Sequence, residues 1–121
     1  MAIQVKRIYE PAAAQDGFRI LVDRLWPRGI SKEKAQLGLW MRDIAPSNEL
    51  RKWFGHEASK WPEFQERYRA ELATRSDLLD SLLGLEQEHQ VITLLFGARD
   101  QEHNEAMVLL DVLNSRRRRR A

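Results

Sequence analysis

The sequence predicts a single small α/β domain of Rossmann-like type, with a short, mainly parallel or mixed sheet of about four strands covered by helices. Three observations predict it. The runs FRILV at 18–22 and VITLLF at 91–96 are nearly continuous in apolar residues, as strands buried on both faces are. Helical periodicity with cap signals fills much of the chain between and after them. No linker and no internal repeat divides the 121 residues, a length suited to one core.

Taken in order, IQVKRI at 3–8 alternates Ile3 and Val5 against Gln4 and Lys6, as a first strand would. Pro11 to Gly17 is a connection ending in an Asp16-Gly17 turn signal. It is too short for an ordinary helical crossover, so the strands it joins are antiparallel, or parallel across a degenerate link. The second strand covers 18–23. Ser31 caps a short helix at 32–36, with Glu33 in its first turn. Leu37 to Arg42 reads as a third strand interrupted by Gly38. After the break at Pro46, Ser47 caps a helix that ends near Gly55. Pro62 opens the next helix, where Phe64, Tyr68 and Leu72 form one stripe. Ser76 caps a further helix with Leu78, Leu79, Leu82 and Leu83 on one side, and 91–96 is the last strand. The final helix is expected over 102–115, with Ala106, Leu109, Leu110 and Leu113 on one face. The domain therefore spans residues 1–115, and 116–121 form a basic tail expected to fray into solvent.

Composition narrows the function classes. The chain has no cysteine, which excludes disulfides, thiolate zinc sites and a cysteine nucleophile, and fits a cytoplasmic protein. The N-terminus has no apolar core of a signal peptide, and Val91 to Ala98 is far too short to span a bilayer. Net charge is +2, but Arg116, Arg117, Arg118, Arg119 and Arg120 contribute five positive charges. The rest of the chain is thus net negative, and the basic balance does not mark the body as a nucleic-acid binder.

The chemistry concentrates where the second strand ends. Asp23 closes that strand, and Arg24, Trp26, Pro27, Arg28 and Gly29 follow, with Lys32 just beyond. Guanidinium groups clamp phosphate or carboxylate bidentately, and loops at the carboxyl ends of strands are the usual ligand sites of open α/β sheets. The opposing reading is that Asp23 pairs with an arginine and merely holds the loop shut. Arg51 is a further candidate anion ligand, and the N-terminus of its helix could hold an anion through free N–H groups. Asp100 follows the last strand in the equivalent position, so Asp23 and Asp100 are the candidate catalytic carboxylates, able to divide acid and base roles or bind a metal ion. Asn104 lies close enough to reach the same cleft. Of the four tryptophans, Trp53 and Trp61 read as packing, while Trp26 lies in the charged loop. His56, after the helix-ending glycine, is an acid–base candidate whose plainer reading is a cap or surface residue. His89 and His103 show no metal-ligand pattern, and none of the common nucleotide-loop, hydrolase or zinc-protease motifs is present.

The stretches DGFRILVDRLWPRGISKEKA, IAPSNELRKWFGHE, KWPEFQERYRAEL and VITLLFGARDQEHNEA resemble the YeaO-like branch of the bacterial DUF 488 (domain of unknown function) family, from about residue 3 to residue 114. The resemblance implies a small cytosolic α/β domain, and names no reaction and no cofactor. Its shared pattern falls on Asp23, Arg24, Trp26, Pro27, Arg28 and Gly29, and on Ser47, Leu50, Arg51, Trp53 and Asn104. The chain departs from it at Glu105, where similar proteins have histidine, and at Phe96, where tyrosine is common. A histidine or cysteine mechanism at that helix is not expected here.

Two functions follow as expectations. One is a cleft at the strand ends that binds an anionic small molecule or nucleotide, in an enzyme or a degenerate one. The other is a non-catalytic module that binds nucleic acid or protein through the arginine tail.

Overall fold

A computed structural model describes residues 1–120. Four strands, β1 (Ala2–Arg7), β2 (Phe18–Leu21), β3 (Leu39–Trp40) and β4 (Val91–Phe96), form one sheet in the order β1-β4-β2-β3, parallel throughout. Five helices accompany it: α1 (Lys32–Ala35), α2 (Asn48–Phe54), α3 (Trp61–Ala73), α4 (Ser76–His89) and α5 (Glu105–Arg120). No helix among the described residues is long and apolar enough to cross a membrane.

The short link between β1 and β2 resolves as parallel because the two strands are not neighbours: β4 lies between them. A connection over residues 8–17 reaches roughly 33 Å when extended, more than the length of either strand, so no helix is needed. A buried charge cluster fixes the return. Asp16 takes Lys6 at 3.0 Å and Arg19 at 2.6 Å, and its backbone oxygen accepts from Thr93 Oγ1 at 2.6 Å. Burial pushes the Asp16 carboxyl up, but the Ala13 N–H and the two cations outweigh it and the net shift is down. Gly17 then turns the chain at φ +64°, where a Cβ would lie 2.3 Å from the Val91 carbonyl oxygen.

Both faces of the sheet are covered, as the continuous apolar runs require. Ile20, Val22, Ile92, Leu94 and Phe96 pack against the helices together with Phe64, Tyr68, Leu72, Leu82 and Leu109. On the other face Leu21 and Leu95 pack with Ile8 and Ala35 beneath Trp26, Ile30, Leu37 and Trp40. Trp53 and Trp61 pack at the core's edge: Arg67 lies 4.4 Å over the Trp53 ring, and Trp61 stacks on Phe64 at 5.5 Å. Gly38 and the residues after it leave β3 only two residues long.

Two helices differ from the sequence expectation at their boundaries. Helix α4 starts at Ser76, so Ser76 is inside the helix and does not cap it with its side chain. Helix α5 begins at Glu105 and does not end near 115; it continues to Arg120. The five arginines do not fray because the first two have partners on α4. Arg116 donates to Asp80 at 2.9 Å, and Arg117 pairs with Glu86, which is 1% exposed. Ala121 lies outside the described residues. Replacing Arg117 by alanine leaves the Glu86 carboxylate buried without this cation. We expect a stability loss of about 1–2 kcal/mol, read from the shift of the urea midpoint.

Candidate functional site

Strands β2 and β4 run side by side and in the same direction, so their carboxyl ends open at one edge. The chain splays there, and a cleft of about 370 Å³ lies between the loop after β2, the turn after β4, and helices α2, α3 and α5. Its charged lining includes Asp23, Arg24, Arg28, Arg51 and Glu105, and His56, His103 and Asn104 add polar groups.

Asp23 holds the two strand ends together. Its Oδ2 accepts the Gly97 N–H at 2.8 Å, and its backbone oxygen accepts Trp40 Nε1 at 2.7 Å. A Cβ at position 97 would sit 3.0 Å from that carboxylate oxygen, which suits the glycine found there. Gly97 is also reached from β1, where Arg7 donates to the Ala98 oxygen at 2.8 Å and to the Gly97 oxygen at 3.4 Å.

Arg24 turns toward the chain before α2, donating from Nε to the Pro46 oxygen at 3.1 Å and from Nη2 to the Ala45 oxygen at 3.3 Å. Arg51, on α2, donates to Asn48 Oδ1 at 3.3 Å, while its Nε is buried with no hydrogen-bond partner. Arg28 is exposed at the rim, and its backbone oxygen accepts from Tyr9 at 3.0 Å. Trp26 lines the cleft with its indole N–H fixed on the Ile30 oxygen at 2.8 Å and its ring edge-on to Trp40 at 5.4 Å.

The carboxylate beside Asp23 is Glu105, not Asp100. Glu105 occupies the first position of α5, and its side chain is within hydrogen-bonding reach of Asp23. Burial, the Asp23 charge and that hydrogen bond together raise the Glu105 carboxyl well above the usual carboxylate range. Asp100 does not line the cleft. It builds the turn before α5, accepting the N–H groups of Glu102 at 2.9 Å and His103 at 3.0 Å. It also meets His103 Nδ1 at 2.8 Å, and this bond followed by the two backbone N–H groups lowers its pKa to about 2. Asp100 thus meets the cleft through His103 and Asn104, which line it.

Three more expectations are altered. Lys32 is exposed beside Trp26 and Trp40 in a separate, shallower depression, away from the other cations. Asn104 lines the cleft, but its side chain caps α5: Oδ1 accepts the Met107 N–H at 3.1 Å and Nδ2 donates to the Asp100 oxygen at 3.0 Å. The N-terminus of α2 is not an anion seat. The Leu50 N–H is taken by Ser47 Oγ, and Ser47 itself donates to the Glu71 carboxylate through both its N–H and its hydroxyl. Sequence reasoning missed Glu105 as a site residue. The signal was present in its place one residue after Asn104 and in its departure from histidine. Among the described residues no three metal-ligating side chains come together.

Fold and site define a parallel α/β domain with a charged cleft across the ends of its two central strands. The chain belongs to the DUF488 family: the model for the inactive DUF488-N3 subclade matches residues 2–121. It is 47% identical to the "Uncharacterized protein YeaO" of Escherichia coli K12 over 115 residues, which cover 95% of this chain and 99% of that one. It is 40% identical to "Uncharacterized protein Rv3073c" of Mycobacterium tuberculosis H37Rv over 116 residues, covering 94% and 95% of the two chains. The same figures hold for "Uncharacterized protein Mb3100c" of Mycobacterium bovis. No solved structure matches the chain.

The Glu105 proton gives the site a pH signature. Because its pKa is raised on folding, the folded state binds more protons than the unfolded one between the ordinary carboxylate range and the raised value, and stability falls as pH rises through that window. In Glu105→Gln that loss disappears. Thermal melts from pH 4 to pH 8 should show the variant gaining on the wild type as pH rises. Parallel curves would contradict the assignment.

Proposed function

We propose that this domain binds an anionic small molecule, a phosphate- or carboxylate-bearing compound such as a nucleotide, in the cleft at the carboxyl ends of β2 and β4. The observation that carries the reading is the Arg51 guanidinium, which lines the cleft with a buried Nε that no protein atom satisfies. A buried donor without a partner is costly, and an anion would satisfy it. Arg24 and Arg28 line the same cleft and supply further positive charge. The subclade's description as inactive favours a binding domain descended from an enzyme over a working catalyst.

The alternative, nucleic-acid or protein binding through the basic end of α5, has less behind it. Arg116 and Arg117 are committed to α4, which leaves Arg118 and Arg119 exposed for a partner.

Isothermal titration with inorganic phosphate and with nucleoside monophosphates tests the proposal. Wild-type protein should bind at least one of them, and Arg51→Ala should weaken that binding by about ten-fold or more while the fold is retained. Equal affinity of wild type and variant would remove Arg51 from the site, and binding by neither would end the reading.

A further inference from the structure

The cleft keeps its acids and its cations apart. Three arginines and two carboxyl groups line one space, yet no arginine or lysine among the described residues forms an ion pair with Asp23 or Glu105. Arg24, next to Asp23 in sequence, spends its donors on the Ala45 and Pro46 oxygens. Arg51 reaches only Asn48. Both carboxyl groups line the cleft, with one Asp23 oxygen on the Gly97 N–H. An oppositely charged neighbour is the ordinary remedy for a carboxyl forced against another, and it is withheld here.

This arrangement leaves two unsatisfied poles in one cavity. The cationic pole asks for an anion, as already proposed. The acidic pole has free lone pairs and asks for a hydrogen-bond donor. We infer that Asp23 and Glu105 form a donor-binding pole, and that the ligand, of mononucleotide size or smaller, carries a phosphate or carboxylate and, away from it, an N–H or ammonium group. The inference rests on the anion-binding reading of the same cleft and adds the second half of the ligand to it. Two chemistries supply such a donor. One is a primary amine. The other is the N–H edge of a nucleobase, for which the Trp26 ring and Phe54 offer apolar wall.

Paired probes that differ only in the donor test it. The amine pair is 2-aminoethyl phosphate against propyl phosphate, and the base pair is 2-aminopurine riboside 5′-monophosphate against purine riboside 5′-monophosphate. Each is titrated calorimetrically into the full chain at pH 7. In at least one pair the donor-bearing member should bind about ten-fold or more tighter, and which pair shows it names the source of the donor. In Glu105→Gln, and in Glu105→Ala as a second variant, that advantage should shrink to about three-fold or less, with circular dichroism confirming the fold. A purely structural carboxyl pair would leave the ratio between partners unchanged. If all four phosphates bind and neither pair discriminates, or if the variants keep the full advantage, the donor pole is wrong and the anion site stands. If none of the four binds, the anion site fails and the donor pole falls with it.

Discussion

The hydrogen bond from the Gly97 N–H to Asp23 is the constraint on which the site depends. It ties the end of β2 to the turn after β4 just where the parallel ladder between them stops. Without it the two strand ends would lose the link that follows the last backbone bond between them. Val22 prolongs the ladder by one bond to the Leu95 oxygen, and Asp23 takes over from there with its side chain. Trp40 holds the same residue from β3 through the Asp23 carbonyl, so one residue is bound to both neighbouring strands.

That position has consequences for the charges around it. With one oxygen spent on Gly97, Asp23 is fixed in orientation and presents its charge to the first turn of α5. Glu105 enters that turn beside it, and burial and the Asp23 charge raise its pKa well above the ordinary range. An acid at a helix N-terminus normally gains as an anion, and here burial and the Asp23 charge oppose that gain. Arg24 could have neutralised both groups but is held on the backbone before α2, where Arg75 also donates to the Ala45 oxygen at 2.6 Å. The cations are thereby fixed on one set of elements and the acids on another. A cleft with unsatisfied groups of both kinds is expensive for folding and useful for recognition, which is the usual balance at functional sites.

Much of this was legible in the residues. The nearly unbroken apolar runs at 18–22 and 91–96 mark β2 and β4 as strands buried on both faces, as in a parallel sheet. The placing of Asp23, Arg24, Trp26, Arg28 and Arg51 on one cleft follows from strand ends and one helix. What could not be read depended on contacts distant in sequence. The β1–β2 link looked ambiguous because only the insertion of β4 between the strands makes a short parallel return feasible. The arginine run looked like a solvated tail because Asp80 and Glu86, thirty or so residues earlier, gave no local sign of being its partners. Asp100 and Glu105 were interchanged for a similar reason. Both lie near the end of β4, and only the cap built by Asp100 and Asn104 decides that Glu105 faces Asp23.

Asp23 and Glu105 line one cleft, and the Glu105 carboxyl titrates above the ordinary carboxylate range beside the Asp23 charge. Carbon-13 NMR of the side-chain carboxyl groups, followed from pH 3 to pH 9, reads this directly. The Glu105 carboxyl carbon should remain at its protonated shift at pH 7, when the exposed glutamates have already titrated, and its transition should move the Asp23 resonance with it. A Glu105 carbon that titrates with the exposed glutamates, independently of Asp23, would contradict the account.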